Sequence, residues 1–174
     1  MQSISQVTWD DISEETKVEF GSVQEKYGTI PNFYKTLANS SASLSGFIAL
    51  ERSLEKGVLS SELREKIALT VSQASECEYC LGAHEILGQS VGLTAEAMAD
   101  ARRAFSPSRR TEAALRFARS IVEKRGRDQQ DELTKLYELG FDKEEITEIV
   151  ATVSWKLFAN YFNHIAETDI DAFS

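Results

Sequence analysis

The chain has 174 residues, of which 42% are hydrophobic and 27% charged, with a net charge of −9. That length suits one compact domain with a sizeable core, and the composition excludes a disordered chain. The acidic balance argues against nucleic acid or an anionic membrane as partners, because both need clustered Lys and Arg. The longest uninterrupted apolar run, Phe47 to Leu50, is far short of the roughly 20 residues a membrane helix needs. Asp10, Asp11, Glu14 and Glu15 precede the first basic residue, Lys17. No secretory signal with a basic head is therefore expected, and the cytoplasm is the expected compartment.

Nine glycines and two prolines are few for a chain of this length, and no alternating strand pattern of useful length occurs, which predicts an all-α fold. A first helix fits Ile12 to Tyr27, with Thr16, Phe20, Val23 and Tyr27 on one stripe and Gly28 as its stop. Pro31 opens a short helical segment. Ser40 or Ser41 caps the next helix, which carries Leu44, Phe47, Ile48, Leu50 and Leu54 inward until Gly57. Ser60-Ser61-Glu62 starts another, with Leu63, Ile67, Thr70 and Val71 on one face. Glu65 shares a side with Ala68, Leu69 and Ser72, so a carboxylate is set into a largely apolar helix and needs a partner.

A helix from near Cys77 to Val91 follows, then one capped by Thr94 that runs to about Phe105. Next come Arg109 to Arg125, closed by Gly126, and a short helix around Gln130 to Leu139. The last helix opens with Asp142 and Glu145 at capping-box spacing and runs to about Ala166. Its two apolar stripes are Ile146, Val150, Val153, Leu157, Tyr161 and His164, and Ala151, Trp155, Phe158, Phe162 and Ile165. A helix apolar nearly all round is either central to the domain or buried between subunits. The whole of 1–174 is expected to be one helical domain, with an N-terminal helix and tail over 1–30 and a core over 40–166.

The densest chemistry lies in Glu76-Cys77-Glu78-Tyr79-Cys80-Leu81-Gly82-Ala83-His84, which holds both cysteines and one of the two histidines. In a reducing cytoplasm such a pair is catalytic or metal-binding sooner than a structural staple. On a helix beginning near Cys77, the residues Cys77, Cys80 and His84 share one face, and the first-turn N–H groups favour a thiolate. Lowering a thiol from about 8.5 to about 6.5 raises its thiolate fraction at pH 7 roughly 25-fold. Nucleophilicity falls with pKa, however, and leaves only about threefold net. The larger gain has to come from proton transfer, typically about 10²–10⁴-fold, with His84 as candidate base oriented by a carboxylate.

These residues resemble the AhpD-like alkylhydroperoxidases of the carboxymuconolactone decarboxylase superfamily, whose signature is Glu-x11-Cys-x-x-Cys-x3-His. Glu65, Cys77, Cys80 and His84 match it at every spacing, and Gly28-x-x-Pro31-Asn32 and Asn163-His164 also look like the smaller peroxidase-related members. The resemblance spans about residues 20–170. It implies an AhpD-like helical bundle, a homotrimer or homohexamer, and a redox disulfide in place of a bound cofactor. It further implies that Cys80 attacks peroxide and becomes a sulfenic acid, that Cys77 resolves it, and that His84 and Glu65 move the proton. A hydroperoxide and a dithiol or protein reductant would be the partners. AhpD has a histidine between its cysteines, and here Tyr79 stands in that place.

Two other readings use the same residues. A non-catalytic redox-sensing oligomer would switch the state of the same cysteines without turnover, and a zinc-binding one would take Cys77, Cys80 and His84 as ligands, with His164 or Glu65 as the fourth. A lactone decarboxylase on the same fold would not need the cysteine pair. His164 reads as a hydrogen-bonded structural or interface histidine, outside the catalytic set. Glu76 and Glu78 read as solvated, and slightly oppose a nearby thiolate.

Overall fold

The computed structural model describes residues 4–171, and among these there are helices and no strands. After a single 3-10 turn at Trp9–Asp11 come α1 (Glu14–Tyr27), α2 (Asn32–Leu37), α3 (Ser41–Glu55), α4 (Ser61–Ala74) and α5 (Glu78–Ser90). They are followed by α6 (Ala95–Arg102), α7 (Arg109–Lys124), α8 (Gln130–Glu138) and α9 (Lys143–Ala166).

The helix starts follow local chemistry. Ser40, Ser60, Thr94 and Ser108 each accept a hydrogen bond from the third backbone N–H beyond them, which satisfies a donor the helix cannot. Asp142 and Glu145 form the reciprocal capping box expected from their spacing. The first helix begins at Glu14 rather than Ile12, because the Ser13 hydroxyl caps it by accepting from Thr16 N–H. Gly28 ends it at φ 75°, a left-handed conformation that costs glycine little.

Two hydrophobic clusters fill the interior. The larger joins Ile67, Leu69 and Val71 of α4 to Ala114, Leu115 and Phe117 of α7 and to Ile149 and Val153 of α9. The smaller gathers Phe20, Phe33, Tyr34, Leu44, Phe47 and Ile48 of α1–α3 around Cys77, Tyr79 and Cys80. α4 packs on α5, α6, α7 and α9, so it is the central helix.

That position corrects the expectation for the last helix. The inward face of α9 is Ile146, Ile149, Val153, Lys156, Asn160 and Asn163, while Val150, Phe158, Tyr161 and Ile165 lie exposed. Polar side chains occupy the buried face because α9 crosses α5 at the cysteines. No helix among the described residues is long and apolar enough to cross a membrane.

Leu69 is fully buried at the centre of the larger cluster. Leu69→Ala is expected to cost about 2–5 kcal/mol of unfolding free energy, read from the shift in urea midpoint at unchanged slope.

Candidate active site

The site starts from a reversal between two helices. Ser75 and Glu76 join α4 to α5, with Glu76 at φ 54°, and Cys77 N–H donates to the Ser72 carbonyl. Glu65 lies roughly 14 Å before the end of α4, and His84 roughly 10 Å beyond Cys77, at 1.5 Å per residue. The reversal therefore brings the two side by side, and His84 Nδ1 sits 2.6 Å from Glu65 Oε2. The twelve-residue offset between Glu65 and Cys77 is the length this hairpin requires.

Cys77 is the residue before the first turn of α5, and Cys80 lies within that turn. Both are reduced and buried, at 1% and 4% exposure. Their sulfurs face each other 2.8 Å apart, with the Cys77 thiol donating toward Cys80. Asn163 of α9 adds a second donor, its Nδ2 lying 3.3 Å from Cys80 Sγ. The Asn163 Oδ1 is buried without a hydrogen-bond partner, an acceptor left free beside the sulfur.

The two thiols are consequently unlike. The hydrogen bond from Cys77, that from Asn163 and the charge of Lys156 hold Cys80 below the ordinary thiol range, against the opposing effect of burial. Cys77, donating to Cys80 and desolvated, is pushed well above it. Glu76 and Glu78 are exposed, as expected.

His84 is buried and bonded on both ring nitrogens. Its Nδ1 meets Glu65, and its Nε2 lies 2.7 Å from the Nζ of Lys156, a fully engulfed lysine of α9. With the lysine as donor at Nε2, the ring carries its proton on Nδ1 and gives it to the carboxylate. Burial and the Lys156 charge lower the His84 pKa against the pull of Glu65. Burial works against the Glu65 charge too, yet His84 and Lys156 hold its carboxyl below the ordinary range. Burial likewise lowers Lys156, against the attraction of Glu65, Cys80 and Glu51. The Lys156 ammonium also lies 3.5 Å from the centre of the Trp155 ring.

All four residues singled out in the sequence, Glu65, Cys77, Cys80 and His84, thus fall in one region. His84, however, has no hydrogen bond to either sulfur among those described. The sequence reading gives neither Lys156 nor Asn163 a place in the site, Asn163 entering it only within the Asn163-His164 motif, although Lys156, Asn160 and Asn163 share one face of the helix. His164 is exposed on α9, consistent with its exclusion.

Tyr79, between the two cysteines, is engaged elsewhere. Its hydroxyl accepts from Phe33 N–H at 3.0 Å and donates to the Asp171 carboxylate, so it is not free to donate to a thiolate. Burial and that carboxylate raise its pKa well above the ordinary value. Asp171 also accepts from Asn32 N–H at 2.9 Å, which ties the end of the described chain to the start of α2. Among the described residues no three His, Cys, Asp or Glu side chains are grouped as a metal ion would need. Both nitrogens of His84, a ligand in the zinc reading, are engaged with Glu65 and Lys156.

A buried, unsymmetrical dithiol beside a carboxylate, imidazole and ammonium on an all-helical frame defines the class of helical protein to which this site belongs. Residues 43–124 match the sequence model of the carboxymuconolactone decarboxylase family. An uncharacterized peroxidase-related protein from Silicibacter sp. TM1040 superposes with a TM-score of 0.86 at 24% identity, covering 98% of this chain and 92% of that one. An alkylhydroperoxidase AhpD core, an uncharacterized peroxidase-related protein from Ralstonia eutropha JMP134, gives 0.83 at 25% identity, covering 97% and 93%. The debrominase Bmp8 gives 0.84 at 20% identity, covering 97% and 92%. Among curated proteins none matches the sequence. The fold is AhpD-like, and its region 43–124 carries the carboxymuconolactone decarboxylase match.

A depressed thiol keeps its thiolate to lower pH, so the acid limb of Cys80 alkylation should lie below the ordinary thiol midpoint of about 8.5. Limiting iodoacetamide at pH 7, followed by peptide mass mapping, is expected to label Cys80 before Cys77. Asn163→Ala should move the Cys80 midpoint upward.

Proposed function

We propose that the protein is a thiol-dependent peroxidase, which reduces hydroperoxides through Cys80 and Cys77 and is re-reduced by a dithiol or a protein reductant. The observation that carries this reading is the inequality of the two sulfurs, since Cys80 receives two donors and Cys77 gives one. A peroxidase needs one nucleophilic thiolate and one protonated thiol in reserve, and the pair supplies both.

In the first step the Cys80 thiolate attacks the terminal peroxide oxygen. The S–O bond forms, the O–O bond breaks, and the departing alkoxide takes a proton from the site to leave as an alcohol. Cys77 then attacks the sulfenic sulfur of Cys80 and gives up its own proton. The leaving hydroxide becomes water, and the disulfide closes. A dithiol restores both thiols by exchange and leaves as its own disulfide. Glu65 and His84 belong to the proton relay that serves these transfers.

Intact mass of the reduced protein before and after one equivalent of cumene hydroperoxide tests the reading. Wild type is expected to lose two hydrogens rapidly, and Cys80→Ser should form no intramolecular disulfide. A reduced wild type whose mass does not change overturns it. Lactone decarboxylation that persists in Cys80→Ser would instead favour the decarboxylase reading, to which the family match also lends support. One structure of Bmp8, with a cysteine replaced by alanine, holds 2,3,4-tribromopyrrole.

The reading includes a homotrimer or homohexamer. The groove between α3 and α9 lined by Phe47, Leu50, Trp155 and Phe158, with exposed Tyr161 and Ile165 nearby on α9, supports self-association. Light scattering at micromolar concentration should give a multiple of the chain mass, and a monomer would refute the oligomer.

A further inference from the structure

Helical neighbour geometry puts Lys156 on the same buried strip as Cys80, where its charge acts on the sulfur. Cys80 and His84 are one turn apart on α5, so their side chains adjoin. Lys156 and Asn163 lie two turns apart on one face of α9, which packs against α5. Asn163 meets Cys80 at 3.3 Å and Lys156 meets His84 at 2.7 Å, so the two helices meet at two points along one buried strip. His84 cannot bond a sulfur while Glu65 and Lys156 hold both its nitrogens. The side chain that brings a transferable proton to this strip is therefore the lysine.

We propose, building on the peroxidase reading, that Lys156 is the proton-holding group of the site, with His84 and Glu65 as positioning residues that aim its ammonium along the strip toward Cys80. The resting state is then a Cys80 thiolate beside a Lys156 ammonium, with Cys77 as thiol. When the S–O bond forms and the O–O bond breaks, the alkoxide takes a proton from Lys156, leaving alcohol and a neutral amine. The Cys77 proton next passes to that amine. The Cys77 thiolate attacks the Cys80 sulfenic acid, and the same proton leaves with the hydroxide as water. The cycle ends with disulfide and neutral Lys156, and re-reduction by a dithiol returns one proton to Lys156 and one to Cys77.

The charged and titratable groups around Lys156 suit this cycle. Glu65 of α4 and Glu51 of α3 attract its proton, as does a Cys80 thiolate of α5, while Lys26 of α1 repels it and His84 of α5 accepts its hydrogen bond. Glu51 is itself held by Lys26, Tyr27 and Tyr34, at 2.8, 2.6 and 3.1 Å, so its charge is largely matched there. Glu65 remains as the matched anion of Lys156. An ammonium lowered by burial releases its proton more readily than an ordinary lysine, which is what an acid working near neutral pH needs.

The test separates charge from proton transfer. Two quantities are read in wild type, Lys156→Met, Lys156→Arg and Glu65→Gln, with near-UV circular dichroism as the check on folding. One is the pH midpoint of Cys80 alkylation, and the other is the single-turnover rate of disulfide formation with cumene hydroperoxide. Lys156→Met should raise the midpoint by about one unit or more and slow turnover by roughly 10²–10⁴-fold. Lys156→Arg should keep the midpoint near that of wild type and still slow turnover, because a guanidinium of pKa above about 12 holds its proton. Glu65→Gln should shift both quantities less than Lys156→Met does.

A folded Lys156→Met with midpoint and rate within about twofold of wild type overturns the proposal. Loss of turnover in Met and Arg variants alike, with no movement of the midpoint in either, overturns it too, because a merely structural lysine does that. A wild type inert toward hydroperoxide whose Cys80 midpoint still rises in Lys156→Met removes the peroxidase reading and supports Lys156 as the partner of the thiolate.

Discussion

An ammonium buried where α4, α5 and α9 meet sets the terms for everything around it. Removing such an ion from water costs several kcal/mol even after relaxation, so Lys156 is tolerated only with an anion and an acceptor at hand. The acceptor is His84 at 2.7 Å, and the anion is Glu65, reached through the same ring. This chain ties three helices by side-chain chemistry where the two apolar clusters adjoin. It also explains why the inward face of α9 changes from Ile146, Ile149 and Val153 to Lys156, Asn160 and Asn163 along its length.

The same strip makes the two sulfurs unlike. Both cysteines lie at the start of α5 and feel the positive end of one helix dipole, which cannot tell them apart. What separates them comes from α9: Asn163 donates to Cys80, and the Lys156 charge acts on it. Cys77 donates its S–H hydrogen bond to that arrangement and stays a thiol. The layer of α1–α3 closes over the pair with Phe33, Tyr34 and Phe47, and carries Glu51 with its two tyrosines and Lys26. Exclusion of water strengthens each of these charge effects.

Tyr79 shows how a family position takes another use. AhpD has a histidine between the cysteines, whereas here the phenol points away from the sulfurs. It accepts from the backbone of Phe33 and donates to Asp171. Asp171 in turn holds the start of α2 through Asn32 N–H. The residue therefore secures the cover over the dithiol.

Much of this was determined by sequence alone. Glycine and proline scarcity, cap residues and apolar periodicity are local properties, so the all-helical fold and its starts at Ser40, Ser60, Thr94 and Asp142 could be read directly. The Glu65, Cys77, Cys80 and His84 spacing is equally local, because a single hairpin of two helices brings those four together. Tertiary structure alone decided the rest. Lys156 and Asn163 lie 72 and 83 residues from the α5 side chains they touch, and only the crossing of α9 over α5 brings them there. A lysine within an apolar helix reads as a solvated edge until its helix is placed, since burial and charge pairing belong to the contact between elements and not to either sequence segment.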